Sequence, residues 1–156
     1  MLSILYAIIS VCFFLFWAKR SKLREYYSSL LCISYLRFLE QYILVYILKV
    51  WEYKDLPTPL AQIIGVPILL DVTLFPMLGY LMIHYSYRKF SNTVKSHLIW
   101  ATAILFVECT MLGAGHLEHH RYWNFMLSYL LALATVIIIY LQYKLFLRTG
   151  WYTDRS

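Results

Sequence analysis

The chain alternates between long apolar blocks and short polar segments. Five blocks come close to, or exceed, the roughly 17–25 residues that a helix needs to cross a bilayer. They cover residues 1–17, 26–50, 60–85, 97–113 and 123–147. The polar segments between them are too short for a soluble domain, so we expect residues 1–156 to form one transmembrane domain. The pattern therefore predicts an all-α integral membrane protein, a bundle of five transmembrane helices.

Composition agrees with a membrane protein. The chain is 62% hydrophobic and only 14% charged, whereas soluble domains carry about 25% charged residues. Any function is therefore expected inside the bilayer or at its two surfaces, and the lipid bilayer is the first expected partner.

Basic residues are distributed unevenly between the two predicted sides. One side carries ten of them: Lys19, Arg20, Lys22, Arg24, Arg88, Lys89, Lys95, Lys144, Arg148 and Arg155. The other side carries Lys49, Lys54 and Arg121. Because basic loops are retained in the cytoplasm, we expect the N-terminus outside and the C-terminus in the cytoplasm. This bias and contact with anionic lipid explain the net charge of +6 without a nucleic-acid partner.

Polar side chains interrupt three of the apolar blocks. Arg37, Glu40 and Gln41 are spaced i,i+3 and i,i+4, so they share one face of the second predicted helix. Asp71 lies near the centre of the third predicted helix, and Glu108 lies past the middle of the fourth. A charge at the bilayer centre costs about 2.5–3.5 kcal/mol on insertion scales. We therefore expect these five side chains to face inward and to converge near mid-membrane.

This intramembrane polar site has a functional and a structural interpretation. Three carboxylates and one arginine would leave a net charge of minus two in a dry bundle if all were ionised. Protonation of carboxyls or a bound cation would relieve that charge, which predicts a proton- or cation-linked site. Alternatively, Arg37 pairs with Glu40 and the other groups bond to backbone or tyrosine hydroxyls in a structural network. Contact with lipid or a partner helix is the third alternative.

The segment HLEHH, residues 116–120, follows the fourth block on the predicted outer surface. His116 and His120 would share a face if the helix continued, a spacing that suits two imidazoles on one zinc or copper ion. His119 and an oxygen of Glu118 would then be further ligands. The alternative is a polar interfacial turn whose histidines sense pH. The pattern HxxHH resembles the histidine boxes of membrane di-iron desaturases and hydroxylases, but those enzymes need several boxes and this chain has five histidines.

Two segments carry a resemblance to a known family. They are DLPTPLAQIIGVPILLDVTLFPMLGYLMIHYSYRKFSN, residues 55–92, and FVECTMLGAGHLEHHRYWNFMLSY, residues 106–129. Both are similar to segments of a family of small, uncharacterised multi-pass membrane proteins from spore-forming Gram-positive bacteria. The matching positions are Leu56, Pro57, Asp71, Pro76, Tyr85, Glu108, Tyr122, Trp123, Ser128 and Tyr129. The resemblance covers roughly residues 35 to 145. It implies a bacterial plasma-membrane protein with Asp71 and Glu108 as a shared polar centre, and it implies no reaction.

Three functions remain open at this point. The leading hypothesis is a non-enzymatic membrane protein with a proton- or cation-linked site, acting as a small transporter or an accessory subunit. Because five helices make a small permeation path, we expect a homo-oligomer or a larger membrane partner. The second hypothesis is an outward-facing metal-dependent membrane enzyme centred on HLEHH. The third is a purely structural membrane subunit.

Overall fold

The computed structural model describes residues 2–54, 56, 58–89, 93–120 and 122–148, and most of them are helical. The elements, in chain order, are α1 (Leu2–Phe16), α2 (Arg20–Tyr42), a π-helical turn (Ile43–Ile47), β1 (Trp51–Tyr53), α3 (Pro59–Ile64), α4 (Ile68–Val72), α5 (Leu74–Lys89), α6 (Thr93–Gly113), β2 (Leu117–His119) and α7 (Phe125–Arg148). Helix α2 is central, because it packs against α4, α5 and α7.

Four segments of the described chain are long and apolar enough to cross a bilayer. They are Arg20–Ile47, Ile68–Tyr85, Val94–Gly113 and Phe125–Phe146. Large apolar side chains cover the outside of the bundle, among them Leu15, Ile63, Phe106, Met126 and Leu141. The predicted all-α class is confirmed, whereas the predicted fifth span is not, because the apolar helix α1 has only 15 residues.

The predicted helix over residues 60–85 is wrong in detail, because it is broken into three. Gly65 ends α3 in the left-handed conformation, with φ of 67°, which glycine adopts without steric cost. Pro67 then precedes α4 and has no backbone N–H to donate. Pro76 is the third residue of α5, and the ring of a proline clashes with the helical carbonyl four residues earlier. That carbonyl belongs to Val72, where α4 ends.

A close contact between α2 and α5 depends on a glycine. A Cβ atom added at Gly79 would lie 3.2 Å from Cγ2 of Ile33, which is tighter than ordinary van der Waals contact. Ile33 and Leu30 therefore fill the space that a side chain at Gly79 would need. The approach brings α5 and its neighbour α4 against the polar face of α2.

Two short strands close one end of the bundle, and the sequence did not predict them. Strands β1 and β2 pair antiparallel, with Trp51 opposite His119, Glu52 opposite Glu118, and Tyr53 opposite Leu117. We call this pair the end sheet. It joins the segment after α2 to the segment after α6, so both segments lie on the same side of the bundle.

The end of α6 explains why HLEHH is a strand and not a continued helix. Gly115 adopts φ of 72°, and the backbone N–H groups of Gly115 and His116 donate to the carbonyls of Leu112 and Met111. This is the Schellman pattern that terminates helices. Because the helix stops here, the i,i+4 geometry expected for His116 and His120 does not form.

Candidate intramembrane polar site

The buried pair Arg37–Glu40 holds three helices together. Nη1 of Arg37 donates a hydrogen bond of 2.5 Å to Oε2 of Glu40, one helical turn away on α2. The guanidinium of Arg37 lies 4.5 Å from the ring centroid of Phe75 on α5, a cation–π distance. The side-chain hydroxyl of Thr135 on α7 lies near Glu40. The charged pair therefore contacts α2, α5 and α7 at once.

An amide–carboxylate contact brings the second carboxyl group to the same face of α2. Nε2 of Gln41 donates to Oδ1 of Asp71 over 2.9 Å. Both side chains are almost completely buried. Because Gln41 follows Glu40 directly and lies one turn after Arg37, the contact places Asp71 beside the charged pair.

Glu108 on α6 is the third carboxyl group of the site. Oγ of Ser128 donates to Oε1 of Glu108, and Nε1 of Trp123 approaches the same Ser128 oxygen at 2.8 Å as a donor. Nε2 of His119 lies 2.9 Å from Oε1 of Glu108, which is an ion-pair distance. This nitrogen nevertheless forms no hydrogen bond of good geometry with any described residue. Glu108 is therefore linked both to α7 and to the end sheet.

A small cavity joins these groups. Its volume is about 10 Å³, the space that one water molecule needs. Its polar lining residues are Arg37, Gln41, Trp51, Tyr53 and Glu108. The cavity therefore brings together side chains from α2, α6 and β1, and Glu108 faces the same space as Arg37.

Polar atoms without partners concentrate around this cavity. Within the described part of the chain, seven buried side-chain nitrogen or oxygen atoms lack a hydrogen-bond partner. Five of them belong to this region: Arg37 Nε, Gln41 Oε1, Trp51 Nε1, Asp71 Oδ2 and His119 Nε2. Most buried polar groups in proteins are paired, and an unpaired one costs about 1–3 kcal/mol. Three of the five atoms, Arg37 Nε, Gln41 Oε1 and Trp51 Nε1, belong to residues that line the cavity, so a water molecule there would have polar partners.

The position of the site along its helices can be measured from the helix ends. At 1.5 Å per residue, Arg37 is roughly 15 Å from Ile47, where its helical segment ends, and this is about half of a hydrocarbon core of about 30 Å. Glu108 is roughly 8 Å from Gly113, where α6 ends. The expected position near mid-membrane stays a prediction.

The four predicted metal ligands do not converge. Successive side chains of a strand point to opposite faces, so Glu118 and His120 lie on one side of β2 and His119 on the other. His119 faces inward and contacts Glu108. The metal site predicted from His116, Glu118, His119 and His120 therefore does not form as one group.

A different trio lies on the exposed face of the end sheet. Ligand atoms of Glu52, Glu118 and His120 all lie within 4.8 Å of one another. These groups already have partners, because Nε2 of His120 is 2.9 Å from Oε2 of Glu52, and Glu118 pairs with Lys54. The hydrogen bond from Lys54 is the main reason that the pKa of Glu118 is lowered. This surface charge network is satisfied without a metal ion, so it carries no argument for zinc or copper.

Several residues of the site were not found from the sequence. Trp51 and Tyr53 line the cavity from β1, and burial raises the pKa of Tyr53 well above its usual value. Ser128 and Thr135 are buried hydroxyl groups within the apolar helix α7. Ser128 is among the positions of the family resemblance, and the i,i+7 spacing places Thr135 on the same face of α7.

In comparisons with known proteins, no family model, curated protein or solved structure matched the chain. The resemblance to the spore-former membrane family therefore stays a prediction.

Proposed function

We propose that the chain is a small proton-linked, transporter-like protein of the bacterial plasma membrane. Protons bind at the carboxyl groups of Asp71 and Glu108, beside the Arg37–Glu40 pair. The observation that carries the proposal is the water-sized cavity surrounded by buried polar atoms without partners. A water molecule there would bond to the unpaired atoms of Arg37, Gln41 and Trp51 and would reach the carboxyl group of Glu108.

The donors at the cavity favour a proton over a metal cation. Arg37 and Trp51 both line the cavity, and each carries a buried N–H group without a partner. Cations such as Ca²⁺ and Mg²⁺ require a shell of six or more oxygen ligands, and N–H donors repel them. Water accepts from such donors and donates to Gln41 or to a carboxylate. The mixed set of donors and acceptors therefore suits water and protons.

The topology that we propose has the end sheet on the outer surface. Two of the four long spans, Ile68–Tyr85 and Val94–Gly113, lie between β1 and β2, which agrees with both strands lying on one side. Basic residues are few in the segments around the end sheet and frequent at the opposite ends. The positive-inside rule then places the opposite ends in the cytoplasm. With α1 as a fifth span, the N-terminus lies outside.

Proton flux into liposomes tests the proposed function. Purified protein is reconstituted into liposomes that contain a pH-sensitive dye, and a pH gradient is imposed. Liposomes with the native protein should acidify faster than empty liposomes, whereas Asp71→Asn and Glu108→Gln should reduce the rate to that of empty liposomes. Glu25→Gln is the matched control, because Glu25 pairs with Lys22 at the other end of α2.

Two results would contradict the proposal. One is that liposomes with the native protein acidify no faster than empty liposomes. A purely structural membrane subunit would then be the better interpretation. The other is a rate in Asp71→Asn and Glu108→Gln that equals the native rate, which would place the proton path elsewhere.

A further inference from the structure

We propose that His119 transfers protons between Glu108 and the water at the end sheet. The inference rests on the proposed proton-linked function and adds the residue and the surface through which the site exchanges protons. It starts from the contact of 2.9 Å between Nε2 of His119 and Oε1 of Glu108.

The two side chains differ in their access to water. The Glu108 side chain is 5% exposed and the His119 side chain is 13% exposed. The imidazole is therefore more accessible to water than the carboxyl group that it contacts. Ser128 contacts the same Glu108 oxygen from α7, but it is buried. Among the described contacts of Glu108, His119 is thus the one titratable group that water reaches.

Aromatic packing fixes the orientation of the imidazole. The ring of His119 stacks on Trp51 at a centroid distance of 5.6 Å and an interplanar angle of 13°. Phe125 contacts it edge-on from α7. Trp51 is also the cross-strand partner of His119. A ring held on two sides keeps Nε2 at 2.9 Å from Oε1 of Glu108, which is within the reach that proton transfer requires.

The transfer uses one proton and leaves the charges balanced. When Glu108 is protonated, its O–H bond breaks and an N–H bond forms at Nε2, which produces a carboxylate and an imidazolium. The imidazolium then releases a proton to water at the partly exposed ring, and the reverse sequence loads Glu108. The step needs a neutral imidazole at the start. Burial is the main reason that the pKa of His119 is lowered, and a lowered pKa favours the neutral imidazole.

The other charged groups near His119 have partners of their own. Besides Glu108 on α6, they are Glu118 and His120 on β2 and Glu52 on β1, with the phenol of Tyr53 beside the cavity. His120 contacts Glu52, and Glu118 contacts Lys54, on the exposed face of the end sheet. Neither of these two ion pairs includes Glu108, so they provide no second path for its proton.

Exchange of the Glu108 proton for deuterium tests the transfer. The C=O stretch of a carboxylic acid shifts in D₂O, and the band that disappears in Glu108→Gln identifies this group. After rapid mixing with D₂O, His119→Gln should slow the shift at least tenfold, and imidazole added to the buffer should restore part of the rate. His120→Gln is the matched control and should exchange at the native rate.

The outcomes separate the two proposals. If the Glu108 band exchanges as fast in His119→Gln as in the native protein, the proposed role of His119 is overturned and the proton-linked function stays intact. Equal slowing in His120→Gln also overturns it, because the effect would then be general to the end sheet. Absence of a protonated Glu108 band in the native protein overturns both proposals.

A measurement on the native protein covers the case in which His119→Gln does not fold. In protein labelled with ¹⁵N-histidine, the Nε2 resonance of His119 should move as Glu108 titrates. The same resonance should lose that response in Glu108→Gln. A resonance that ignores Glu108 contradicts the transfer.

Discussion

The end sheet has polar groups on both of its faces, and the two sets are organised differently. On the exposed face, Glu52 and Glu118 lie directly opposite each other, and His120 and Lys54 offset the repulsion. On the inner face, the groups around the cavity are buried and keep atoms without partners. Buried polar atoms without partners call for an explanation, such as a bound water molecule or a functional role. The difference therefore supports the proposed chemistry at the inner face, although the histidines first draw attention to the outer one.

The largest effect should come from breaking the buried charge pair. Arg37→Ala leaves Glu40 as an uncompensated buried charge, and breaking such a pair typically costs about 3–5 kcal/mol. Lys22→Ala breaks the i,i+3 pair with Glu25 on the same helix, where both side chains are 24% exposed. This matched control should cost less than about 1 kcal/mol. Denaturant unfolding in detergent measures both, and equal losses would contradict the inward placement of the Arg37 pair.

A smaller effect should follow the loss of one hydroxyl group. Ser128→Ala removes the donor to Glu108 and the oxygen that Trp123 approaches. Both hydrogen bonds join neutral groups when Glu108 is protonated, and each such bond is worth about 0.5–1.5 kcal/mol. We expect a loss of about 2 kcal/mol. Ser34→Ala is the control, because among the described contacts the hydroxyl of Ser34 donates to the carbonyl of Leu30 within its own helix. This substitution should cost a few tenths of a kcal/mol. If Ser128→Ala loses as little stability as the control, the hydrogen bond from α7 to Glu108 does not stabilise the protein.

The stability of the end sheet should depend on pH through His119. Because the pKa of His119 is lowered in the folded protein, the unfolded chain binds more protons once the pH falls below the ordinary value of about 6.5. This contribution to stability is complete above that pH and is lost as the pH falls toward the lowered pKa. His119→Gln should flatten this part of the curve of melting temperature against pH, and His116→Gln should not. An unchanged slope in His119→Gln would show that the imidazole is not buried against Glu108.

The smallest effect is expected on the exposed face. The Glu52 side chain is 59% exposed, and exposed ion pairs contribute little because water and salt screen them. Glu52→Gln should therefore leave the melting temperature and the proton flux unchanged at physiological salt. A large loss of either would assign function to the surface charge network, and with it to the trio of potential metal ligands.

Much of the fold could be predicted from hydrophobicity alone, because burial in lipid requires long apolar helices. The helix break at Gly65–Pro67 has a local cause, because the left-handed glycine ends one helix and the proline precedes the next. The pairing of Glu52 with Glu118 has no local signal, since the two residues are 66 positions apart and their register depends on the ends of α2 and α6. The polar site could be predicted only in part. Charges in apolar blocks identified Asp71 and Glu108, whereas the neutral partners of the site look like ordinary interfacial or helical residues in the sequence.

The central claim is that the buried carboxyl groups hold a proton that exchanges with water, and infrared spectroscopy tests it most directly. At pH 7 the native protein should show a carboxylic-acid C=O band. Exposed carboxyl groups, which titrate near 3.9–4.3, do not contribute to that band. The band should weaken or disappear in Asp71→Asn and Glu108→Gln and persist in Glu25→Gln. A native spectrum without a protonated carboxyl band at pH 7, or one that neither neutral substitution changes, would contradict the account.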